Sequence, residues 1–172
     1  HVMTNFTDRQ KEIIDVSIQL ISEGGIQALT IKNISENIGI SEPAIYRHFD
    51  SKMDILLGIL SYFKNNTKAI LVRITDSEVS TIEKLKLIFL EHFKQFTQNP
   101  AMTAVIFSEE IFQNDKQLSD EVFSIMKLNQ DKILSIIKEG QKKEQIRSDV
   151  SKEQLALIIT GTVRLVVTKW RV

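Results

Sequence analysis

The segment from Leu29 to Leu56, LTIKNISENIGISEPAIYRHFDSKMDIL, predicts two short helices joined by a turn, with a longer helix starting directly after them. Three isoleucines that follow Thr30 with the spacing i, i+3 and i+7 share one face of the first helix, which Thr30 can cap. Gly39 is expected to end this helix because glycine adopts the left-handed conformation without steric cost. Ser41 can then cap a second helix, with Pro43 in its first turn, where the missing N–H matters least. The pattern predicts a helix-turn-helix.

The second helix of this segment is predicted to have a buried and an exposed side. At about 100° per residue, Ile45 and Phe49 lie together and form the apolar stripe. The opposite side carries small residues and one guanidinium, bordered by two rings that form hydrogen bonds: Pro43, Ala44 and Arg47, with Tyr46 and His48. A helix in the major groove needs close approach at its centre, a donor for guanine O6 and N7, and flanking groups for phosphates. This side meets those needs; the alternative interpretation is an ordinary amphipathic helix of a bundle.

The segment Thr30–Lys52 resembles the DNA-binding signature of TetR-family transcriptional regulators. The resemblance rests on the turn Gly39-Ile40-Ser41 and on the spacing Tyr-x-His-Phe-x-x-Lys that follows it in register. It implies that four residues hold DNA phosphates: Thr30, Tyr46, His48 and Lys52. It also implies that three residues face base edges: Pro43, Ala44 and Arg47. Ser41 completes the predicted DNA-binding set. The resemblance further implies two partners, a double-stranded operator DNA and a second copy of the chain.

Composition predicts an all-α fold. The chain has 172 residues, of which 42% are hydrophobic and 26% charged, so it can bury a sizeable core. Only 2 prolines and 6 glycines interrupt long runs of helix-forming residues. There are no cysteines, which excludes disulfides, thiol catalysis and cysteine-ligated metal sites and fits a cytoplasmic location. No stretch reads as a signal peptide or a membrane span, so no membrane partner is expected.

The charge balance argues against a nucleic-acid partner. The formal net charge is +0, and the sequence pI is about 7.0. From His1 to Lys52 there are five Lys or Arg and seven Asp or Glu, which gives a formal charge of −2. The contribution of phosphate contacts to DNA affinity depends, however, on the few cations and helix N-termini that contact the DNA backbone, and a dimer doubles their number. We therefore keep the prediction of DNA binding that the motif gives. From the charge balance we expect non-specific binding to DNA to be weak at physiological salt.

The chain is predicted to divide into a headpiece and a body. Residues 1–50 are expected to form the helix-turn-helix DNA-binding headpiece, and residues 51–172 a helical body for effector binding and dimerisation. Ser51 with Asp54 indicates the start of the long helix that connects them. Farther along the body, Ser119 is expected to cap another long helix.

The last predicted helix starts with Ser151 and Gln154 and still carries an apolar stripe where the sequence stops at Val172. In the resembled family, two C-terminal helices from each subunit form the dimer interface, so a final helix is expected to be missing here. Gly161 lies in the middle of the predicted helix, at a cost of about 1 kcal/mol relative to alanine. Close approach of another helix, from a second subunit or from this chain, would explain this glycine.

Residues suited to catalysis are sparse. Of the three histidines, His1 lies at the start of the chain and His48 on the predicted DNA face, which leaves only His92. The carboxylates are scattered at spacings typical of helix surfaces, and neither a glycine-rich phosphate loop nor a metal-ligand spacing is present. We expect no enzymatic activity, no cofactor and no metal site.

The body is rich in phenylalanine and methionine, and the family resemblance implies an effector cavity among its helices. Seven residues are candidates for the lining: Phe89, His92, Phe93, Phe96, Phe107, Phe123 and Met126. Each of these residues alone also fits an ordinary core position. An apolar lining favours a small hydrophobic or aromatic effector with few polar anchors, for which His92, Gln95 and Glu109 are candidates.

The sequence thus predicts a TetR-like DNA-binding regulator of transcription, a repressor that a small hydrophobic effector releases from its operator. Two other functions fit the same sequence. One is a helical DNA-binding architectural or division-associated regulator without an effector, which a filled body interior would favour. The other is a protein-interaction module whose headpiece no longer binds DNA, which the acidic headpiece keeps open.

Overall fold

A computed structural model describes residues 6–106, Ser108 and residues 115–171, apart from the side chains of Thr168, Trp170 and Arg171. All regular structure within these residues is helical, which confirms the predicted all-α fold. A single 3₁₀ turn, Ile26–Ala28, follows the first helix. The α-helices in this part of the chain are α1 (Asp8–Gly24), α2 (Ile31–Ile38), α3 (Glu42–Tyr46), α4 (Lys52–Thr75), α5 (Thr81–Gln98), α6 (Pro100–Ile106), α7 (Lys116–Lys142) and α8 (Lys152–Arg171).

The first of two compact units comprises His1–Asn65 and Gln98–Phe123. Its helix α1 begins with a reciprocal pair of hydrogen bonds between Thr7 and Gln10. The Thr7 hydroxyl accepts from the Gln10 N–H at 3.2 Å, and the Gln10 side-chain oxygen accepts from the Thr7 N–H at 3.0 Å. These bonds satisfy two N–H groups that lack a partner within the helix. Helices α2 and α6 pack against α1. These three helices form a small core behind α3.

The helix-turn-helix forms where the sequence predicted it. Thr30 caps α2, its hydroxyl accepting from the Asn33 N–H at 3.0 Å. Gly39 ends α2 in the left-handed conformation, with φ 79° and ψ 33°. Ser41 holds the N-cap position of α3 through its backbone, but its hydroxyl forms no capping hydrogen bond. The predicted N-cap position is therefore correct, but the Ser41 side chain does not form the capping hydrogen bond.

Helix α4 starts as predicted. The Ser51 hydroxyl accepts from the Asp54 N–H at 3.1 Å and donates to the Asp54 carboxylate at 3.0 Å. From Lys52 the helix then runs without a break for 24 residues. An unbroken helix of this length is about 36 Å long.

The second compact unit comprises Asn66–Thr97 and Ser124–Val172. Its core is aliphatic and is supplied by α4, α5, α7 and α8: Leu71, Ile74, Leu85, Ile88, Ile133, Ile136, Ile137 and Ala156. The start of α5 is held by Gln145, whose side-chain oxygen accepts from the Thr81 hydroxyl at 2.7 Å. This core gives the helices of the unit a common apolar interior.

One predicted helix start is wrong. Helix α7 begins at Lys116, ahead of the predicted cap at Ser119. Asp115 caps it instead, because its carboxylate accepts from the Leu118 N–H at 2.8 Å. Ser119 lies inside the helix and donates back to the Lys116 carbonyl at 3.0 Å. A charged acceptor is favoured at the positive end of the helix dipole, which explains why the aspartate outcompetes the serine.

Helix α8 exposes an apolar face. Four large side chains along it are between 46% and 67% exposed: Leu157, Ile158, Leu165 and Val166. A Cβ atom added at Gly161 would meet nothing within 4 Å. Contact with another helix of this chain therefore does not explain Gly161 within the described residues, which do not support that alternative. The other explanation, a second subunit, stays a prediction.

Candidate nucleic-acid interface

The segment around α3 separates a buried side from an exposed side, as predicted. The side chain of Ile45 is 0% exposed and that of Phe49 is 2% exposed, whereas Tyr46 is 48% exposed. Pro43 and Arg47 are also exposed. The surface opposite the apolar stripe is therefore open to solvent, which is the geometry that contact with a DNA groove requires.

Helix α3 is short, and the residues after it continue its turn. Arg47 is helical in conformation, with φ −72° and ψ −17°, although α3 ends at Tyr46. The N–H groups of His48 and Phe49 both donate to the Ile45 carbonyl, at 2.9 Å and 3.2 Å. We call residues 42–49 the reading segment. Because its backbone keeps turning beyond Tyr46, Arg47 stays on the exposed side while Phe49 returns to the core.

All eight predicted DNA-binding residues lie in the first unit: Thr30, Ser41, Pro43, Ala44, Tyr46, Arg47, His48 and Lys52. Ser41 is exposed, whereas Thr30, Ala44, His48 and Lys52 are half-buried. The reading segment carries five of the eight residues and Ser41 directly precedes it, so they share one stretch of backbone. Thr30 caps α2 and Lys52 is the first residue of α4, so two further helix N-termini contribute to the set.

Two residues that the sequence did not single out hold the reading segment from behind. The side-chain amide of Gln10 in α1 donates to the backbone carbonyl of His48 at 3.1 Å. A Cβ atom added at Gly58 in α4 would lie 3.3 Å from both the Ile14 side chain and the Phe49 ring. Gly58 therefore allows α4 to approach the Phe49 ring more closely than a larger residue would. The spacing of Thr7 and Gln10 indicates only the start of α1, and a glycine inside a helical pattern does not show which residue it approaches, so neither contact could be found from the sequence.

A cavity of about 330 Å³ lies behind the reading segment in the first unit. His48, Phe49 and Asp50 line one part of it, and the first half of α4 lines another. Two further lining residues, Gln117 and Glu121, come from α7, and the Glu121 carboxylate pairs with the Lys64 ammonium at 3.2 Å. This cavity was not predicted from the sequence.

The second unit contains a much smaller cavity, of about 10 Å³, between α4, α5 and α7. This volume suits about one water molecule. His92 and Gln95, two of the predicted polar anchors, line it together with Asn129. Burial lowers the pKa of His92, although a hydrogen bond between its Nδ1 atom and the Ile88 carbonyl at 3.0 Å opposes that shift. Burial thus favours a neutral imidazole beside a cavity that has both aliphatic and polar lining residues.

The other residues predicted for the effector site are dispersed. Phe89, Phe93 and Phe96 are half-buried on α5 and line neither of these two cavities. Phe123 is 57% exposed and Met126 is 37% exposed. Phe107 and Glu109 lie outside the described residues. Of the described residues in the predicted lining set, only His92 lines either cavity, so the role of the others stays a prediction.

Two further observations concern other kinds of site. Within the described ranges, no three His, Cys, Asp or Glu residues come together in a group that could hold a metal ion. None of the helices in those ranges combines the length and the apolar character that crossing a bilayer requires.

The chain matches two family models in succession. Residues 13–59 match the model described as "Bacterial regulatory proteins, tetR family". Residues 63–172, more than half of the chain, match the model described as "YsiA-like protein, C-terminal region". The first match contains the whole helix-turn-helix, and the second contains most of α4 and all the helices after it.

The nucleoid occlusion factor SlmA of Vibrio campbellii is a curated relative, 27% identical over 112 residues. That alignment covers 64% of this chain and 57% of the relative, so the chain spans little more than half of that protein. Two solved structures share the fold over nearly the whole chain. The fatty acid degradation regulator FadR from Bacillus halodurans has a TM-score of 0.79 at 24% identity, covering 97% of this chain and 86% of its own. The transcriptional regulator FadR from Bacillus subtilis, in complex with stearoyl-CoA, has a TM-score of 0.74 at 25% identity, covering 93% and 86%.

The family matches and the geometry agree with each other. The matched N-terminal region is the part of the chain in which the reading segment turns Ile45 inward and Arg47 outward. Residues 63–172 match the YsiA-like C-terminal model, and the Bacillus halodurans FadR structure shares the fold. The chain belongs to the tetR family of bacterial regulatory proteins.

Proposed function

We propose that this chain is a DNA-binding transcriptional repressor, which a hydrophobic effector releases from its operator. The observation that carries the proposal is the exposed surface of the reading segment, where Arg47 stands beside small residues over the buried Ile45 and Phe49. A guanidinium on a closely approaching helix is the group best suited to guanine O6 and N7 in the major groove.

In the proposed complex, Pro43 and Ala44 allow close approach and Arg47 contacts a base. The phosphate contacts come from four side chains: Thr30, Tyr46, His48 and Lys52. Lys52 is the first residue of α4, so its ammonium and the N-terminus of a 24-residue helix can bind one phosphate together. The hydroxyl of Ser41 is available for a further phosphate because it does not cap α3.

The working unit in this proposal is a homodimer in the cytoplasm. Residues 1–50 serve as the DNA-binding headpiece, and residues 51–172 serve effector binding and dimerisation. The exposed apolar face of α8, which includes Leu157 and Leu165, supports dimerisation because solvent exposure of such a face is unfavourable. Two headpieces then read half-sites about one DNA turn, or a multiple of it, apart.

The effector is proposed to be a hydrophobic molecule with a long acyl chain or an aromatic group. The stearoyl-CoA bound to the Bacillus subtilis FadR supports the acyl class. The 10 Å³ cavity between α4, α5 and α7 does not accept such a chain, so binding has to separate these helices. An effector that binds only the separated arrangement shifts the equilibrium towards it. Since α4 connects to the reading segment, this shift lowers operator affinity.

A second candidate function is a DNA-binding, division-associated regulator without an effector. The small volume of that cavity favours it, because the described interior of the second unit leaves little room for a ligand. The relatedness to nucleoid occlusion factor SlmA of Vibrio campbellii points the same way. In this candidate the reading segment acts as in the first, and only the release by an effector is absent.

A gel shift separates these candidates. The probe is the DNA upstream of the chain's own gene, with and without stearoyl-CoA and a panel of hydrophobic and aromatic compounds. Retarded DNA that a compound releases supports the effector-controlled repressor. Retarded DNA that no compound releases supports the second candidate. Failure to retard this DNA, together with failure to select any duplex from a random-sequence pool, would reject DNA recognition and favour a protein-interaction module.

A further inference from the structure

We propose that Gln10 is a positioning residue for DNA recognition, which fixes the reading segment through the backbone carbonyl of His48. The inference rests on the proposed DNA-binding function and adds to it a residue outside the helix-turn-helix. Gln10 belongs to the first turn of α1, whereas His48 follows 38 positions later in the sequence. The contact between them is therefore tertiary and ties α1 directly to the segment that carries Arg47.

The oxygen and the nitrogen of the Gln10 side-chain amide form hydrogen bonds to different partners. Its oxygen accepts from the Thr7 N–H at 3.0 Å, and its nitrogen donates to the His48 carbonyl at 3.1 Å. These partners define the orientation of the amide, because a backbone N–H only donates and a carbonyl only accepts. The side chain is 9% exposed, so water competes weakly for either hydrogen bond.

The His48 carbonyl lies just beyond the end of α3. Because His48 is outside that helix, its carbonyl takes its donor from elsewhere in the chain. Helix α3 ends at Tyr46, and the turn that follows brings Phe49 back into the core. The Gln10 amide supplies the donor at this point, directly after Arg47. The Phe49 ring, which is buried and lies 3.3 Å from the position that a Cβ atom at Gly58 would take, provides a second fixed point.

The consequence concerns sequence recognition more than stability. A bidentate contact from Arg47 to a guanine requires a defined position of the backbone, whereas a phosphate contact tolerates displacement. Loss of the Gln10 bond leaves the His48 carbonyl without its donor and allows residues 47–49 to shift. We expect such a shift to reduce the preference for the cognate sequence while binding to random DNA continues.

Three variants separate this role from the capping of α1. Gln10→Glu keeps an oxygen for the Thr7 N–H, since glutamate also serves at this capping position, but it has no N–H for the His48 carbonyl. Gln10→Met is neutral and of similar length, and it removes both hydrogen bonds. Thr7→Ala removes the hydroxyl that caps α1 and leaves the bond from Gln10 to His48 in place.

The experiment begins with a duplex that the wild-type chain selects from a random-sequence pool. The affinity for this duplex is then divided by the affinity for a scrambled duplex of the same composition. This ratio cancels the uniform electrostatic effect of the carboxylate in Gln10→Glu, which weakens binding to both duplexes. Amide hydrogen exchange of the free proteins at His48 and Phe49 gives a second, DNA-independent measurement.

We expect Gln10→Glu and Gln10→Met to lower the ratio about tenfold, which is within the discrimination that one bidentate base contact provides. Both variants should also exchange the amides of His48 and Phe49 faster, while Thr7→Ala changes neither measurement. An unchanged ratio in folded Gln10→Glu protein would overturn the proposal, as would an equal loss in Thr7→Ala. If the wild type selects no duplex, the proposed function fails instead, and the exchange of the two amides alone decides whether Gln10 positions the segment.

Discussion

Arg47 is the residue on which sequence recognition depends in this account. It is exposed, and its backbone continues the helical turn after α3 ends. Arg47→Ala is expected to cost about 1–3 kcal/mol of binding free energy on the selected duplex and to relax the preference at one position of each half-site. Titration of duplexes that differ at single positions measures both effects.

A matched control for Arg47→Ala is Lys11→Ala, which removes one positive charge from an exposed position on α1. Its effect is expected to be small and equal on all duplexes, because a general loss of charge does not distinguish sequences. If Arg47→Ala also weakens binding equally on every duplex, Arg47 contacts a phosphate, and the assignment of base recognition to it is wrong.

Gly58 is expected to tolerate no larger side chain. In Gly58→Ala, the new Cβ lies 3.3 Å from the Ile14 side chain and from the Phe49 ring. Overpacking of this kind costs about 1–3 kcal/mol, and the better helix propensity of alanine offsets about 1 kcal/mol of it, so urea titration should show a net loss of up to about 2 kcal/mol in the free energy of unfolding. The added substitution Ile14→Val removes the nearest methyl group and should recover part of the loss, so the two changes are non-additive. Full additivity would show that α4 moves away from this contact at no cost.

His92 is expected to make stability depend on pH. Because burial lowers its pKa below the ordinary value of 6.5, the unfolded chain binds more protons between the two pKa values. The free energy of unfolding therefore falls as the pH drops below about 6.5, with a slope of at most about 1.4 kcal/mol per pH unit from this group. Urea titrations at about pH 5 and pH 7.5 should show a smaller difference for His92→Gln than for the wild type. The same difference in both proteins would assign the pH dependence to other groups.

At the scale of elements, helix starts that rest on local hydrogen bonds were predictable from the sequence. Thr30 and Ser51 each cap the helix that the sequence assigned to them. The start of α7 was not predictable in the same way, because Asp115 and Ser119 are both good capping residues and only the fold shows which one is used. Local sequence patterns therefore identify candidate capping residues. Where two candidates lie close together, the surrounding structure determines which one caps the helix.

Contacts between elements explain what the sequence could not predict about the site. The bond from Gln10 to His48 spans 38 positions, and the approach of Gly58 to the Phe49 ring depends on how α4 packs. Neither contact has a sequence pattern of its own. The exposed and buried sides of α3 were predictable, by contrast, since helical periodicity alone determines them.

A substitution in helix α8 tests dimerisation. Gly161→Ala should add about 1 kcal/mol of helix propensity in the isolated chain, because the added Cβ meets nothing there. If a second subunit packs closely against Gly161, the same Cβ weakens the dimer. Sedimentation equilibrium is expected to show a larger dimer dissociation constant for the variant than for the wild type. A dimer as tight as or tighter than the wild type would place the interface away from Gly161.

At the scale of the whole molecule, the charge balance sets the contrast between specific and non-specific binding. The residues from His1 to Lys52 carry a formal charge of −2. Only five Lys or Arg in this region can neutralise phosphates, so few counterions are released on random DNA, and binding there should be weak at about 0.15 M salt, with a shallow dependence on salt concentration. Titration of a random duplex over a salt series measures this. Tight binding to random DNA would show that cations outside this region dominate.

Arg47 is proposed to read a guanine from the exposed side of the reading segment, and replacement of guanine by 7-deazaguanine tests this contact. This base lacks the N7 acceptor that a guanidinium uses and still pairs normally. Placed at each half-site guanine in turn, it should weaken wild-type binding at one position and have no further effect there on Arg47→Ala. An equal penalty in both proteins at every position, or no penalty in either, would contradict the account.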